Sequence, residues 1–123
     1  MAGSNYGDPV RWGSPFALML NELIDFAVEN AGKNYANFSR QQWANLLQQH
    51  SLIVIKEKNE INGFGVYDNR ATELFFYCIV KKSTIETTRA VAVMKRAIDN
   101  CLPKKPIRWL DEKRKRIVQW GLQ

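Results

Sequence analysis

Hydrophobic positions recur at helical spacing through the first fifty residues, then give way to short, nearly continuous apolar runs. Residues 1–13 are rich in Gly, Ser, Asn and Asp and read as an arm or a short edge strand from Pro9 to Trp12. Ser14-Pro15 predicts a helix start, with Ser as N-cap and Pro at the first helical position. Phe16, Met19, Leu20, Leu23, Ile24, Phe26 and Ala27 give that helix a broad apolar face, and Gly32 stops it. Ser39-Arg40-Gln41-Gln42 is a capping box opening a second helix with Trp43, Leu46 and Leu47 inward and His50 at its C-terminal end. There an imidazolium favours the helix dipole, the ordinary reading of a lone histidine.

After His50 the pattern is that of strands. Leu52 to Lys56 and Ile61 to Tyr67 flank a turn at Asn59-Glu60, and Asp68-Asn69-Arg70 is the next turn. Leu74 to Val80 is an unbroken apolar run, expected of a central strand buried on both faces, which places Tyr77 and Cys78 in the core. Ser83-Thr84-Ile85-Glu86 is a second capping box, followed by a helix to about Asn100. Its buried stripe is Ala90, Val91, Met94, Ala97, Ile98 and Cys101. Ile107 to Leu110 is a short strand, and Asp111 to Trp120 a last helix ended by Gly121. Short turns imply an antiparallel meander, and the strand–helix–strand unit from Leu74 to Leu110 implies a right-handed parallel crossover. The expected fold is α+β: a mixed, mainly antiparallel sheet with helices on both faces, forming one domain over residues 14–123.

Composition narrows the chemistry. With 123 residues, 46 % of them hydrophobic and 24 % charged, the chain has the material for one compact core. No apolar run approaches a membrane span, and the N-terminus lacks the order of a signal peptide, so a reduced cytoplasmic protein is expected. Two cysteines and one histidine argue against a disulfide scaffold, a structural zinc site and a Ser-His-Asp triad. The net charge of +6 is concentrated in Lys104, Lys105, Arg108, Lys113, Arg114, Lys115 and Arg116, a stretch with a net +5. Such a face attracts the phosphates of a nucleic acid or nucleotide, or an acidic protein; a solvated helix face without a partner is the simpler reading.

The stretch from Leu52 to Gly65 (LIVIKEKNEINGFG), the run Glu73 to Val80 (ELFFYCIV) with its following helix, and Arg116 to Leu122 (RIVQWGL) resemble the GCN5-related N-acetyltransferase (GNAT) family. In that comparison they correspond to the second to fourth strands and the terminal helix. The resemblance implies acetyl-coenzyme A beside the fourth strand, with its pyrophosphate on backbone N–H groups at the start of the next helix. The corresponding residues are Ile79, Val80, Lys81, Lys82, Thr87, Thr88, Arg89 and Ala90. The family pattern Arg/Gln-x-x-Gly-x-Gly/Ala falls on Ile85 to Ala90: Ala90 fits, while Ile85 and Thr88 depart from it. Glu86 as a capping-box residue would compete with phosphate for the same donors.

The resemblance also implies a glutamate general base, for which Glu73 is the candidate; its simpler reading is an exposed carboxylate beside Arg70. The family's proton-donating tyrosine would match Ile117, which has no acidic proton. The family sheet continues past the terminal helix, so a chain ending at Gln123 is expected to be incomplete at the C-terminus, with an exposed edge on its fifth strand. A short domain of this kind is similar to acetyltransferase-like proteins of bacteriophages, some carried in virions. These departures favour a degenerate acetyltransferase-fold protein that requires no cofactor and acts through a protein partner or a second copy. An active acetyl-coenzyme A-dependent N-acetyltransferase and a small basic nucleic-acid-binding domain are the alternatives.

Overall fold

A computed structural model of the chain describes the backbone of residues 8–10, 14–111 and 116–120, and the side chains of residues 19–33 and 35–109. Six strands form one sheet in chain order: β1 (Asp8–Val10), β2 (Ser51–Glu57), β3 (Glu60–Asn69), β4 (Leu74–Lys81), β5 (Ile107–Asp111) and β6 (Arg116–Trp120). Every neighbouring pair is antiparallel except β4 and β5, which run parallel. Between β1 and β2 come α1 (Ser14–Asn30), a single 3-10 turn (Lys33–Tyr35) and α2 (Arg40–Gln49); α3 (Thr87–Asp99) connects β4 to β5. This is the α+β arrangement expected from the pattern.

The helices cover both faces. Leu23, Ile24, Phe26 and Ala27 of α1 with Trp43 and Leu47 of α2 pack on Leu52, Val54, Phe64, Val66, Cys78 and Val80. On the opposite face Ala90, Val91, Met94, Ala97 and Ile98 of α3 pack on Ile53, Ile55, Tyr67, Leu74, Phe76 and Ile107. The alternation along β2 assigns successive residues to the two clusters, as the two-residue period of a strand requires. The α2 capping box forms: Ser39 Oγ accepts from the Gln42 N–H at 3.1 Å, and Gln42 Oε1 accepts from the Ser39 N–H at 2.8 Å. Lys58 and Asn59, both at positive φ (53° and 67°), turn β2 into β3, one residue earlier than expected.

Four expectations are corrected. Residues 116–120 form a strand, not a helix: Ile117 pairs with Leu110 and Val118 with Trp109. The edge of β5 is therefore covered by β6, and the family comparison drawn for Arg116 to Leu122, with Ile117 as its proton-donor position, does not hold. Tyr77 is exposed (37 %), not in the core. Cys101 is exposed beyond the last turn of α3. In its place the inward face of α3 carries Lys95, buried at 7 % and paired with Asp99 at 2.7 Å one turn on.

Candidate active site

The sheet divides at β4. Its pairing with β3 runs along the whole strand, but Val66 lies opposite Cys78 and the next residue, Tyr67, opposite Phe76, so Tyr77 has no partner. This bulge reverses the facing of the strand. Leu74 and Phe76 point to α3, whereas Cys78 and Val80 point to α1 and α2. Pairing with β5 ends at the same place, being confined to Leu74–Ile107, Phe75–Arg108 and Phe76–Trp109. From Tyr77 to Lys81 the β5-facing edge of β4 has no strand partner among the described residues. The result is a wedge with its apex at Phe76 and Trp109 and one wall of unpaired backbone.

The first turn of α3 follows this wall. Glu86 is the N-cap in an extended conformation but makes no side-chain cap hydrogen bond, so the expected Ser83–Glu86 capping box does not form. A hydrogen-bonded turn instead precedes the helix, the Ile85 N–H donating to the Lys82 carbonyl at 3.1 Å. The first intrahelical bond is Ala90 N–H to Glu86 O, at 3.0 Å. The amides of Thr87, Thr88 and Arg89 are thus the unsatisfied donors of a helix N-terminus, without a capping carboxylate. Thr87, Thr88 and Arg89 are exposed, Lys81 and Lys82 half-buried. Ala90 and Val80 are buried and Ile79 packs under α3, so these three offer backbone rather than side chains. The Lys82 ammonium lies 3.4 Å from Glu60. A cavity of about 470 Å³ lined by Ile55, Glu57, Asn62, Lys82, Ile85 and Arg89 opens under the same turn. Its walls come from β2, β3, the turn after β4 and α3, so it shares Lys82 and Arg89 with the helix N-terminus.

On the α1/α2 face, the level of the apex carries a polar cluster. His50, the C-cap of α2, places Nδ1 2.8 Å from Asp68 Oδ1. The Tyr77 hydroxyl donates to Asp68 Oδ2 at 2.6 Å, and the His50 and Tyr77 rings lie 4.3 Å apart at 32°. Burial alone would raise the Asp68 carboxyl, but its hydrogen bonds from Tyr77 and His50, with the nearby His50 and Arg70 charges, hold it below its ordinary value. Arg70 reaches the Tyr77 hydroxyl at 3.4 Å and lies 4.3 Å above the Phe75 ring.

Glu73, the base suggested by sequence, sits just before β4. Its carboxylate accepts from Arg108 at 2.7 Å and from Arg70 at 3.2 Å. The Arg108 hydrogen bond, with the Arg108 charge and the Arg70 contact, keeps it ionised below the usual carboxylate range. Both oxygens are engaged, which makes Glu73 a clamp between β4 and β5 more than a proton acceptor. Of the basic stretch, Arg108 is in this clamp and Lys105 donates to Asn69 Oδ1 and the Arg70 carbonyl at 2.8 and 2.7 Å. Lys104 is exposed; Lys113, Arg114 and Lys115 and the Arg116 side chain lie outside the described residues. The Cys78 thiol is pushed up to about 12 by burial, too high for a nucleophile at neutral pH.

The overall fold is similar to that of several solved structures. The aminoglycoside 6'-N-acetyltransferase from Enterococcus faecium superposes with a TM-score of 0.54 at 12 % identity over 82 % of this chain. The aminoglycoside 6'-acetyltransferase type Ii gives 0.53 at 11 % identity over 82 %, and Ard1 from Thermoplasma volcanium 0.50 at 15 % identity over 88 %. This is the GCN5-related N-acetyltransferase fold. The chain spans 59 % of the first of these structures, 69 % of the second and 76 % of the third. No family model and no curated protein matches the sequence. Within this GNAT-like fold, Tyr77 and the His50–Asp68 pair are the residues that sequence reasoning missed. The available signal was the β2–β3 hairpin: pairing Ser51 with Tyr67 puts position 50 next to position 68.

Proposed function

We propose that the chain binds acetyl-coenzyme A in the wedge between β4 and β5 and transfers the acetyl group to an amine. The observation that carries this reading is the end of β4–β5 pairing at the Tyr77 bulge, which leaves an unpaired strand edge leading to an uncapped helix N-terminus. The edge suits an extended ligand with amide groups, because such a ligand adds to a sheet as a strand does. The amides of Thr87, Thr88 and Arg89 suit a diphosphate, with the Arg89 and Lys82 side chains supplying positive charge. When bound, the coenzyme supplies an acyl group activated as a thioester.

The departures at Ile85 and Thr88 weigh toward an impaired enzyme acting through a partner. Against that, the competing carboxylate inferred from Glu86 is not hydrogen-bonded to the donors in question. Calorimetry with acetyl-coenzyme A decides between the two. Binding in the micromolar range, abolished by Thr88→Glu through a carboxylate set at the phosphate position, is the expected result. No heat at millimolar ligand overturns the enzyme reading and leaves the scaffold role.

A further inference from the structure

Resting on the reading above, we propose that His50, oriented by Asp68, is the group that takes the proton from the acceptor amine. The sequence points instead to Glu73, whose two oxygens are both held by arginines. In the polar cluster, Asp68 also has both oxygens engaged, one by His50 and one by Tyr77. An ionised carboxylate only accepts, so the proton between it and the ring belongs to His50 Nδ1. The neutral ring then presents a lone pair at Nε2, and among the described residues that nitrogen makes no hydrogen bond. The side chain is 19 % exposed, enough for one edge to meet a ligand.

Position completes the argument. The imidazole lies against Tyr77, the residue at which β4 parts from β5, on the sheet face opposite α3. Phosphates bound at α3 and an acyl carbon at the apex leave the α1/α2 face for the approaching amine. The titratable and charged groups around His50 are Asp68 and Arg70 after it on the sheet, Tyr77 on β4, and Tyr35, whose hydroxyl donates to the Tyr77 carbonyl at 3.3 Å. None of them presents a free acceptor in the place of Nε2. In the step, His50 Nε2 takes one proton from the acceptor ammonium, and the freed nitrogen pair bonds to the acyl carbon. The carbon–sulfur bond breaks with its electrons on sulfur. The thiolate takes the second proton shed by the new amide nitrogen, and His50 returns its own to solvent.

His50 is the single histidine, so its ring can be read without assignment. In the unliganded chain, nitrogen-15 spectra of the neutral ring should show the Nδ1–H tautomer, lost in Asp68→Ala; an Nε2–H ring in the native chain overturns the proposal. Thiol release from acetyl-coenzyme A is then measured with n-butylamine, spermidine and a tripeptide with a free α-amine as acceptors. His50→Gln should lower kcat/KM for the amine by about 10²-fold or more while changing the calorimetric affinity for acetyl-coenzyme A less than about threefold. Asp68→Asn, which keeps the size of the side chain, should give an intermediate loss. Coenzyme binding with an undiminished rate in His50→Gln overturns this inference alone, whereas no thiol release by the native chain on any of the three amines overturns the transfer reading on which it rests. Absence of coenzyme binding overturns the enzyme reading on which it rests.

Discussion

Among the glycines at described positions, Gly65 leaves the least room for a side chain. It lies on β3 opposite Ile79, facing α3. A Cβ built there would stand 2.5 Å from Phe76 Cε2 and 2.9 Å from Met94 Sδ. Ordinary carbon contacts are about 3.5–4.0 Å, so the ring has to retreat by about 1 Å. It has nowhere to go: Phe76 is 2 % exposed, Met94 fully buried, and Phe76 stacks on Tyr67 at 5.3 Å. Met94 can shift at little cost, being flexible, but a rigid ring cannot. Overpacking of this kind costs about 3 kcal/mol. The lower chain entropy of the unfolded alanine variant offsets roughly 0.5–1 kcal/mol of that. A net loss of about 2 kcal/mol corresponds to a Tm lower by about 6–10 °C for a domain of this length. Urea unfolding of Gly65→Ala should show a reduced midpoint with an unchanged slope. Phe76→Leu in the same chain should recover part of the loss, with a coupling of at least about 0.5 kcal/mol. A variant melting within about 2 °C of the native chain, or strict additivity of the two changes, would refute the steric argument.

Two further outcomes follow from charge and burial. Glu73 and Asp68 both ionise more readily in the fold than in the unfolded chain, so the stability they contribute is complete above the ordinary carboxylate value. It is lost as pH falls below that value and through their lowered native values; urea midpoints measured on descending pH should fall there, less steeply in Glu73→Gln. An equally steep fall in that variant rules out the Glu73 contribution. Of the two thiols, exposed Cys101 should react with a disulfide reagent in the native state at neutral pH, and Cys78 only after unfolding. Two fast equivalents in the folded chain contradict the burial of Cys78.

Much of the architecture was legible because local and tertiary preferences agree. The Ser39–Gln42 box, the α3 stripe from Ala90 to Ile98 and the β-branched run of β2 form where their patterns place them. They fail where pairing across the sheet outweighs the local pattern. Asp111 to Trp120 was expected to be a helix ended by Gly121, yet Ile117, Val118 and Trp120 pair with β5 in an antiparallel ladder. The bulge at Tyr77 carries no Gly or Pro to announce it, so an apolar run read as uniformly buried reverses its facing midway. That reversal carries Tyr77 outward to Asp68. The His50 contact, eighteen positions distant in sequence, depends on strand register rather than on any motif. The Ser83–Glu86 box had the right letters but not the geometry, because the chain makes a Lys82–Ile85 turn there before α3 begins.

The three residue pairs that join β4 to β5 divide the sheet into two unequal blades. Strands β2 to β4 carry the packing of α1, α2 and α3, and β5 joins them at one end through its pairing with Leu74–Phe76, the contact of Ile107 with α3 and the Arg108–Glu73–Arg70 clamp. The strands are joined around Ile107 and stand apart beside Cys78 to Lys81. Part of that joint is ionic, so neutralising Glu73 removes its two arginine contacts while Ile107 stays packed against α3.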